Sequence, residues 1–283
     1  MFALIGMAVV ILSVVGGFLI EKGNLGVLFQ PAEFLIIFGA AGGAFLISSP
    51  PKVVRLVTKN IATVIKSKGT TKAQYLELLT LLYHLFAKIR KEGLISVEPD
   101  IENPEKSTLF NKFVNGTANR EAIHFICDNL KVIISTNVPS HELDSLMDLE
   151  IDAHYHEAIT PSKMVSKIAD ALPGLGIVAA VLGVVLTMGK IDQPPAVLGH
   201  SIGAALVGTF LGVLMCYGFV GPMATNLEHT AKEKNVYFQV IKLAVVTFVR
   251  GAAPQMAVEF GRRAIPSKER PSFSELERTV RGR

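Results

Sequence analysis

Charge is missing where a soluble chain would carry it. Of the 283 residues, Met1 to Ile20 hold no Asp, Glu, Lys or Arg, and Ala32–Ser49, Ala169–Gly189 and His200–Pro222 are almost as bare. Cysteine is scarce as well. Cys127 and Cys216 are the only two, which excludes a disulfide framework and suits a reducing compartment. No glycine-rich loop ends in Lys-Ser/Thr, and no nucleophile stands beside a recognisable base, so nothing supports an enzyme. Metal chemistry finds no footing either. His154 and His156 are two apart, which places them on different helix faces, and with His141 they lack the i, i+4 spacing of a zinc pair. No internal repeat or low-complexity segment is present.

What the chain does have is apolar length. Half of its residues are hydrophobic. A helix crosses the hydrocarbon core with about 20 apolar residues, so the four stretches predict an all-α integral membrane protein with four transmembrane helices. Met1–Ile20 has no charged leading segment and no small-x-small cleavage site, and another span follows closely, so it is expected to be retained rather than removed as a signal peptide. The sequence divides into spans one and two (1–49), a charged insert (50–168), spans three and four (169–222) and a charged tail (223–283).

The placement of basic residues orients these pieces. Of 28 Lys and Arg, only Lys22 and Lys190 fall in the short connections. Near the span ends stand Lys52, Arg55, Lys59, Lys66 and Lys68, then Lys163 and Lys167, then Lys232 and Lys234. The positive-inside rule puts the insert, the tail and both termini in the cytoplasm. The insert's 15 basic residues are met by 14 acidic ones without interleaved aromatics, which excludes a nucleic-acid surface.

The insert reads as helices. From Thr71 to Leu94, apolar residues fall at Tyr75, Leu78, Leu79, Leu82, Leu85, Phe86 and Ile89, one face of a 3.6-residue period. Thr71 with Gln74 predicts a capping box, and Gly93 a stop. Charge follows, from Lys88, Arg90, Lys91 and Glu92 to Glu98, Asp100, Glu102 and Glu105. A second helix is expected from about Asn119 to Thr136. A third, capped by Ser140, is acidic through Glu142, Asp144, Asp148, Glu150, Asp152 and Glu157. Thr160-Pro161 reads as a fresh cap and start for a helix that enters the membrane unbroken as span three. Span four is expected to continue past Met223, and Arg270-Pro271-Ser272-Phe273-Ser274-Glu275 predicts a capping box for a last short helix.

Deep in the spans there are hydroxyls but no charge. Glu21, Lys22 and Glu33 flank the first two spans and Asp170 stands at the cytoplasmic start of the third, leaving Thr187, Ser201, Thr209 and Tyr217 inside. Hydroxyls can solvate an ion but do not exchange protons near neutral pH, so a proton path here needs a titratable group from a partner. Pro173 removes a helix hydrogen bond and is expected to kink span three, and Pro222 does the same as span four leaves the membrane. Prolines also serve simple packing in membrane helices. Small residues cluster at Gly176, Ala179, Ala180 and Gly183, and again at Gly203, Ala204, Ala205, Gly208 and Gly212, faces that let helices approach closely.

Four motifs carry a resemblance: Leu172-Pro173-Gly174-Leu175-Gly176-Ile177-Val178-Ala179-Ala180-Val181-Leu182-Gly183-Val184-Val185, Gly208-Thr209-Phe210-Leu211-Gly212, Ala257-Val258-Glu259-Phe260-Gly261-Arg262-Arg263 and Glu269-Arg270-Pro271-Ser272-Phe273. Over nearly its whole length the chain resembles the bacterial flagellar stator A subunits (MotA), of the MotA/TolQ/ExbB superfamily. The resemblance implies an inner-membrane, ion-driven rotary unit: a pentamer of A subunits around a dimer of the B subunit, MotB, whose single span supplies the ion-binding aspartate. It implies a proton channel whose flow drives torque on the rotor protein FliG, and so motility, with no cofactor. It matches Pro173 and Pro222 to prolines coupling ion flow to motion. Ala180, Thr209 and Tyr217 match positions facing the ion path. Arg90 and Glu98, with Glu150 in a lesser part, match insert charges that meet the rotor.

Three other readings stand beside this one. An ExbB/TolQ-type energy transducer has three spans with its N-terminus outside, which the four-span pattern opposes. A sodium-driven, PomA-like stator shares most motifs; the surroundings of Pro173 and the insert charges are closer to the proton-driven branch, so H+ is expected over Na+. A self-contained transporter lacks any intramembrane charge to hold its substrate.

Overall fold

A computed structural model describes residues 2–66, 69–110, 113, 117–136 and 138–281, with side chains except at 60–66 and 117–119. Lys68 and the side chain of Lys66, counted above among the orienting basic residues, lie outside it. Every regular element among the described residues is helical. In chain order they are α1 (Phe2–Ile20), α2 (Leu25–Leu28), α3 (Pro31–Ser48), α4 (Pro51–Lys66), α5 (Lys72–Glu92), α6 (Glu98–Glu102), α7 (Thr117–Thr136), α8 (Ser140–Met188), α9 (Pro195–Leu214), α10 (Gly221–Val249), α11 (Pro254–Ala264) and α12 (Phe273–Arg281). Among the described residues, four helical stretches are long and apolar enough to cross a membrane: Phe2–Ile20, Leu25–Ser48, Ser140–Met188 and Pro195–Val249.

The chain folds as two compact units, one from Met1–Ser67 with Ala158–Thr230, the other from Lys68–Glu157 with Ala231–Arg283. The second unit is organised by α5. Its N-terminus is closed by the capping box that the sequence predicts: Thr71 and Gln74 each accept from the other's backbone N–H. At its other end Gly93 takes φ +90°, a left-handed turn open to glycine. The stripe from Tyr75 to Ile89 is buried, as its period requires, against Ile126 and Leu130 of α7, Leu143 and Met147 of α8, and Ile241 and Val245 of α10. α11 and α12 also pack on α5. Ser272 and Glu275 form the second expected capping box, with bonds of 2.6 and 3.2 Å.

One element differs from expectation. Thr160-Pro161 starts nothing: α8 runs from Ser140 to Met188 with both Pro161 and Pro173 inside it. A proline removes one backbone donor and costs about 3 kcal/mol in a helix interior, and a helix of 49 residues keeps the rest of its ladder on either side. Near the break, the Ser162 hydroxyl donates to the Ala224 carbonyl at 2.8 Å, tying α8 to α10. The run from α9 to α10, where Pro222 predicts a kink, contains a π-helical stretch at Met215–Val220. Gly221 N–H bonds to the Cys216 carbonyl, five residues back. Pro222 follows and has no N–H to offer, so the ladder before it reorganises into the wider turn.

Candidate functional site

In the first unit, α8 and α9 meet along a seam of glycines. A Cβ added at Gly176 would lie 2.7 Å from the Gly208 carbonyl oxygen, and one at Gly212 would lie 2.5 Å from the Leu172 oxygen. At the far end of the seam, a Cβ on Gly183 would come within 2.6 Å of the Ala205 Cβ. Nothing larger than glycine fits these positions without separating the helices.

Ala180 and Thr209 belong to this seam. Ala180 is buried and its backbone nitrogen faces Gly208; Thr209 is half-buried with its Cα opposite Gly176. Pro173, half-buried, directly follows Leu172, whose oxygen abuts Gly212. The structure therefore brings Pro173, Ala180 and Thr209 to one seam. Tyr217 and Pro222 lie elsewhere. Both are exposed, and with Ala3, Gly6, Met7 and Val10 of α1 they line a cavity of about 360 Å³ beside the π-helical stretch.

Glu33 flanks span two as expected, in the first turn of α3, but its side chain is only 8% exposed, with the carboxylate laid over the seam. Its Oε2 is 2.5 Å from where a Gly208 Cβ would stand, and its Oε1 is 3.5 Å from that of Gly183. The expectation that no ionisable group enters the packed spans fails here, because α3 packs on α9 and turns this side chain inward. The sequence signal was the glycine pair itself, a gap that some side chain had to fill.

In the second unit, Arg90 stands in the last turn of α5 and Glu98 begins α6, both exposed, and neither side chain makes a hydrogen bond or ion pair among the described residues. Asp100 fixes the segment that carries Glu98. Burial works against its charge, but bonds from Lys88 at 2.7 Å and Ser107 at 2.6 Å prevail and hold the carboxyl below the usual range. Glu150 differs from the other two. It is half-buried, accepts from Asn129 Nδ2 at 3.0 Å and has His154 at 3.9 Å. The motif Ala257–Arg263 is an internal clamp: Arg262 holds Glu259 with two 2.7 Å bonds and donates to the Pro271 carbonyl. That hydrogen bonding keeps Glu259 below the ordinary carboxylate range despite its burial. Burial pushes the Cys127 thiol up to about 12, which leaves it inert at physiological pH.

The family model described as MotA/TolQ/ExbB proton channel family matches residues 112–239, and Motility protein A N-terminal matches residues 4–93. The chain is 44% identical over 281 residues to Motility protein A of Salmonella typhimurium, covering 99% of this chain and 95% of that protein. Its fold is similar to that of C. jejuni MotAB, at TM-score 0.79 and 19% identity, covering 96% and 98% of the two chains. It is likewise similar to the flagellar MotAB stator complex from Bacillus subtilis, at TM-score 0.78 and 23% identity, covering 97% and 100%.

Proposed function

Because the chain belongs to the Motility protein A family, we propose that it is the A subunit of a flagellar stator and forms, with MotB, a proton channel that drives rotation through FliG. The observation that carries this reading is the 44% identity running through 99% of the chain. In this reading the chain spans the bacterial inner membrane four times, with both termini, the 50–168 insert and the tail in the cytoplasm, as the basic residues beside the span ends favour. Five copies surround a MotB dimer. The helical fold, with four stretches long and apolar enough to cross a membrane among the described residues, suits a channel subunit.

The α8–α9 seam suggests how the coupling works. No Lys or Arg occurs in 31–48, 169–188 or 195–214, so an aspartate on the partner meets no fixed cation there and can take up and release an ion. Each proton moving down the membrane potential makes available roughly 2.3 kcal/mol per 100 mV, enough to bias two helix arrangements. Ala180, Thr209 and Tyr217 face that path. Pro173 and Pro222, where the helical ladders are interrupted, are the points at which α8 and the α9–α10 run yield. H+ rather than Na+ is the ion, in keeping with the proton-channel family that the chain matches.

Arg90 and Glu98 suit rotor contact because they are exposed and uncommitted; such pairs contribute at most about 1 kcal/mol each and act mainly by steering. Glu150 contributes less, since Asn129 already holds it. The test is swimming speed in a stator-deleted bacterium given this chain with its cognate B subunit. Swimming returns with the unmodified chain, is lost with Pro173→Ala and is weakened with Arg90→Glu. A membrane-inserted chain that restores nothing would point to an ExbB/TolQ-type role.

A further inference from the structure

One buried titratable group has no part in that mechanism. Glu33 is 8% exposed, and its Oε2 finds no hydrogen-bond partner. It sits in a cradle built for it. Gly208 leaves open the space its Oε2 fills, Gly183 does the same near Oε1, and Ala179 closes the side at 3.1 Å from the Gly208 Cβ position. The same Gly208 position is 3.2 Å from the Ala180 nitrogen and next in sequence to Thr209. Gly208 lies thirteen residues into α9 from Pro195, roughly 20 Å along that helix, so the carboxyl at the start of α3 reaches well into the length of α9. α8 and α9 set Gly183 and Gly208 against it, and the atoms next to those two positions belong to Ala179, Ala180 and Ala205, none of them titratable. The other titratable groups of 169–188 and 195–214 are Asp170 and His200.

An ionised carboxylate without a cation or donor is unstable in such surroundings, whereas the neutral acid is tolerated. A purely structural plug would be better served by a leucine or glutamine than by an acid. We propose that Glu33 is a proton-exchanging site of this chain's own, beside the path that Ala180 and Thr209 line. A hydronium gives its proton to Oε2, forming the carboxylic O–H and releasing water, and the reverse step passes the proton to water or to the partner's carboxylate. This rests on the channel reading above. It adds a second titrating station, fixed to the A subunit, to the one carried by the B subunit.

The experiment has two arms. In stator-deleted cells with the cognate B subunit, the unmodified chain, Glu33→Gln and Glu33→Asp are compared for swimming speed across external pH, with membrane levels checked by immunoblot. Glutamine keeps the shape but cannot exchange a proton, so swimming is all but lost, as expected where a placed proton carrier is worth about 10²-fold or more. Aspartate retains most of the speed with a displaced pH profile. In the second arm, infrared spectra of the purified complex in lipid show a protonated-carboxyl C=O band that the glutamine variant lacks and that shifts in frequency in the aspartate variant. Normal swimming with Glu33→Gln at every pH, or no acid band in the unmodified complex, overturns the proposal. If the glutamine variant does not reach the membrane, the aspartate spectrum alone decides, by whether the band moves. Failure of the unmodified chain to restore swimming would instead sink the stator reading itself.

Discussion

The unit formed by Lys68–Glu157 and Ala231–Arg283 holds together by filling space with large side chains, while the unit formed by Met1–Ser67 and Ala158–Thr230 does so by removing side chains. In the former, Phe86 stacks on Phe248 with centroids 4.4 Å apart, Phe125 meets Phe238 edge-on, and Tyr75 lies against Tyr237. In the latter, glycines bring backbone against backbone, α1 buries none of its residues, and Leu12, Leu35 and Leu186 are more than two-thirds exposed. Water explains the first pattern and lipid the second. A leucine facing hydrocarbon gains little by moving inside, so helix contacts there rest on close packing rather than on hydrophobic burial.

The contrast can be broken at four places. The largest effect belongs to Phe86→Ala, which empties a fully buried aromatic site and costs about 3–5 kcal/mol; circular dichroism melts of the purified chain in detergent register it as a lowered Tm. Gly212→Val comes next, at roughly 1–3 kcal/mol from overpacking against the Leu172 carbonyl. It abolishes swimming yet leaves the melting of the other unit unchanged, whereas loss of both would mean that the seam is not a separate element. Glu275→Ala is smaller. The bond from Lys72 and those from Ser272 hold that carboxyl at about 2. The folded value lies below the ordinary one, so its contribution is present above pH about 4.3 and fades as pH falls toward 2. Protease cleavage before α12 therefore speeds up in the variant at neutral pH, and the two chains converge near pH 2. Leu12→Ala is the smallest, within about 0.5 kcal/mol, because the residue is solvated by apolar groups whether folded or not. A melt shifted as far as that of Phe86→Ala would show that α1 is packed, not bathed in lipid.

How legible each part was depends on how local its physics is. The ends of α5 were readable because Thr71, Gln74 and Gly93 act on backbone groups a few residues away, and the stripe from Tyr75 to Ile89 declared its buried face by period alone. Pro161 misled because a cap-and-proline pair looks the same whether a helix begins there or merely tolerates the lost bond within a ladder already 20 residues long. Glu33 was missed for the opposite reason. Its neighbours Gly183 and Gly208 are far away in the chain, and only the packing of α3 on α9 tells a residue at a helix start from one inside a bundle. Arg90 and Glu150 looked alike as insert charges. What separates them is Asn129, which binds one and not the other.

The π-helical stretch before Pro222 has a geometric consequence. Widening one turn takes up an extra residue, so the helix emerging at Gly221 is phased about 100° away from where an unbroken α-helix would have put it. Ala224 and Leu227 are buried on that rephased face, and Ala224 receives the Ser162 hydroxyl there. The stretch works as a one-tooth offset on a screw. Deleting a single residue between 215 and 220 would restore a regular thread and leave Ala224 and Leu227 on the surface they now meet, whereas tightening the stretch to α-helix with all its residues kept would turn both off it.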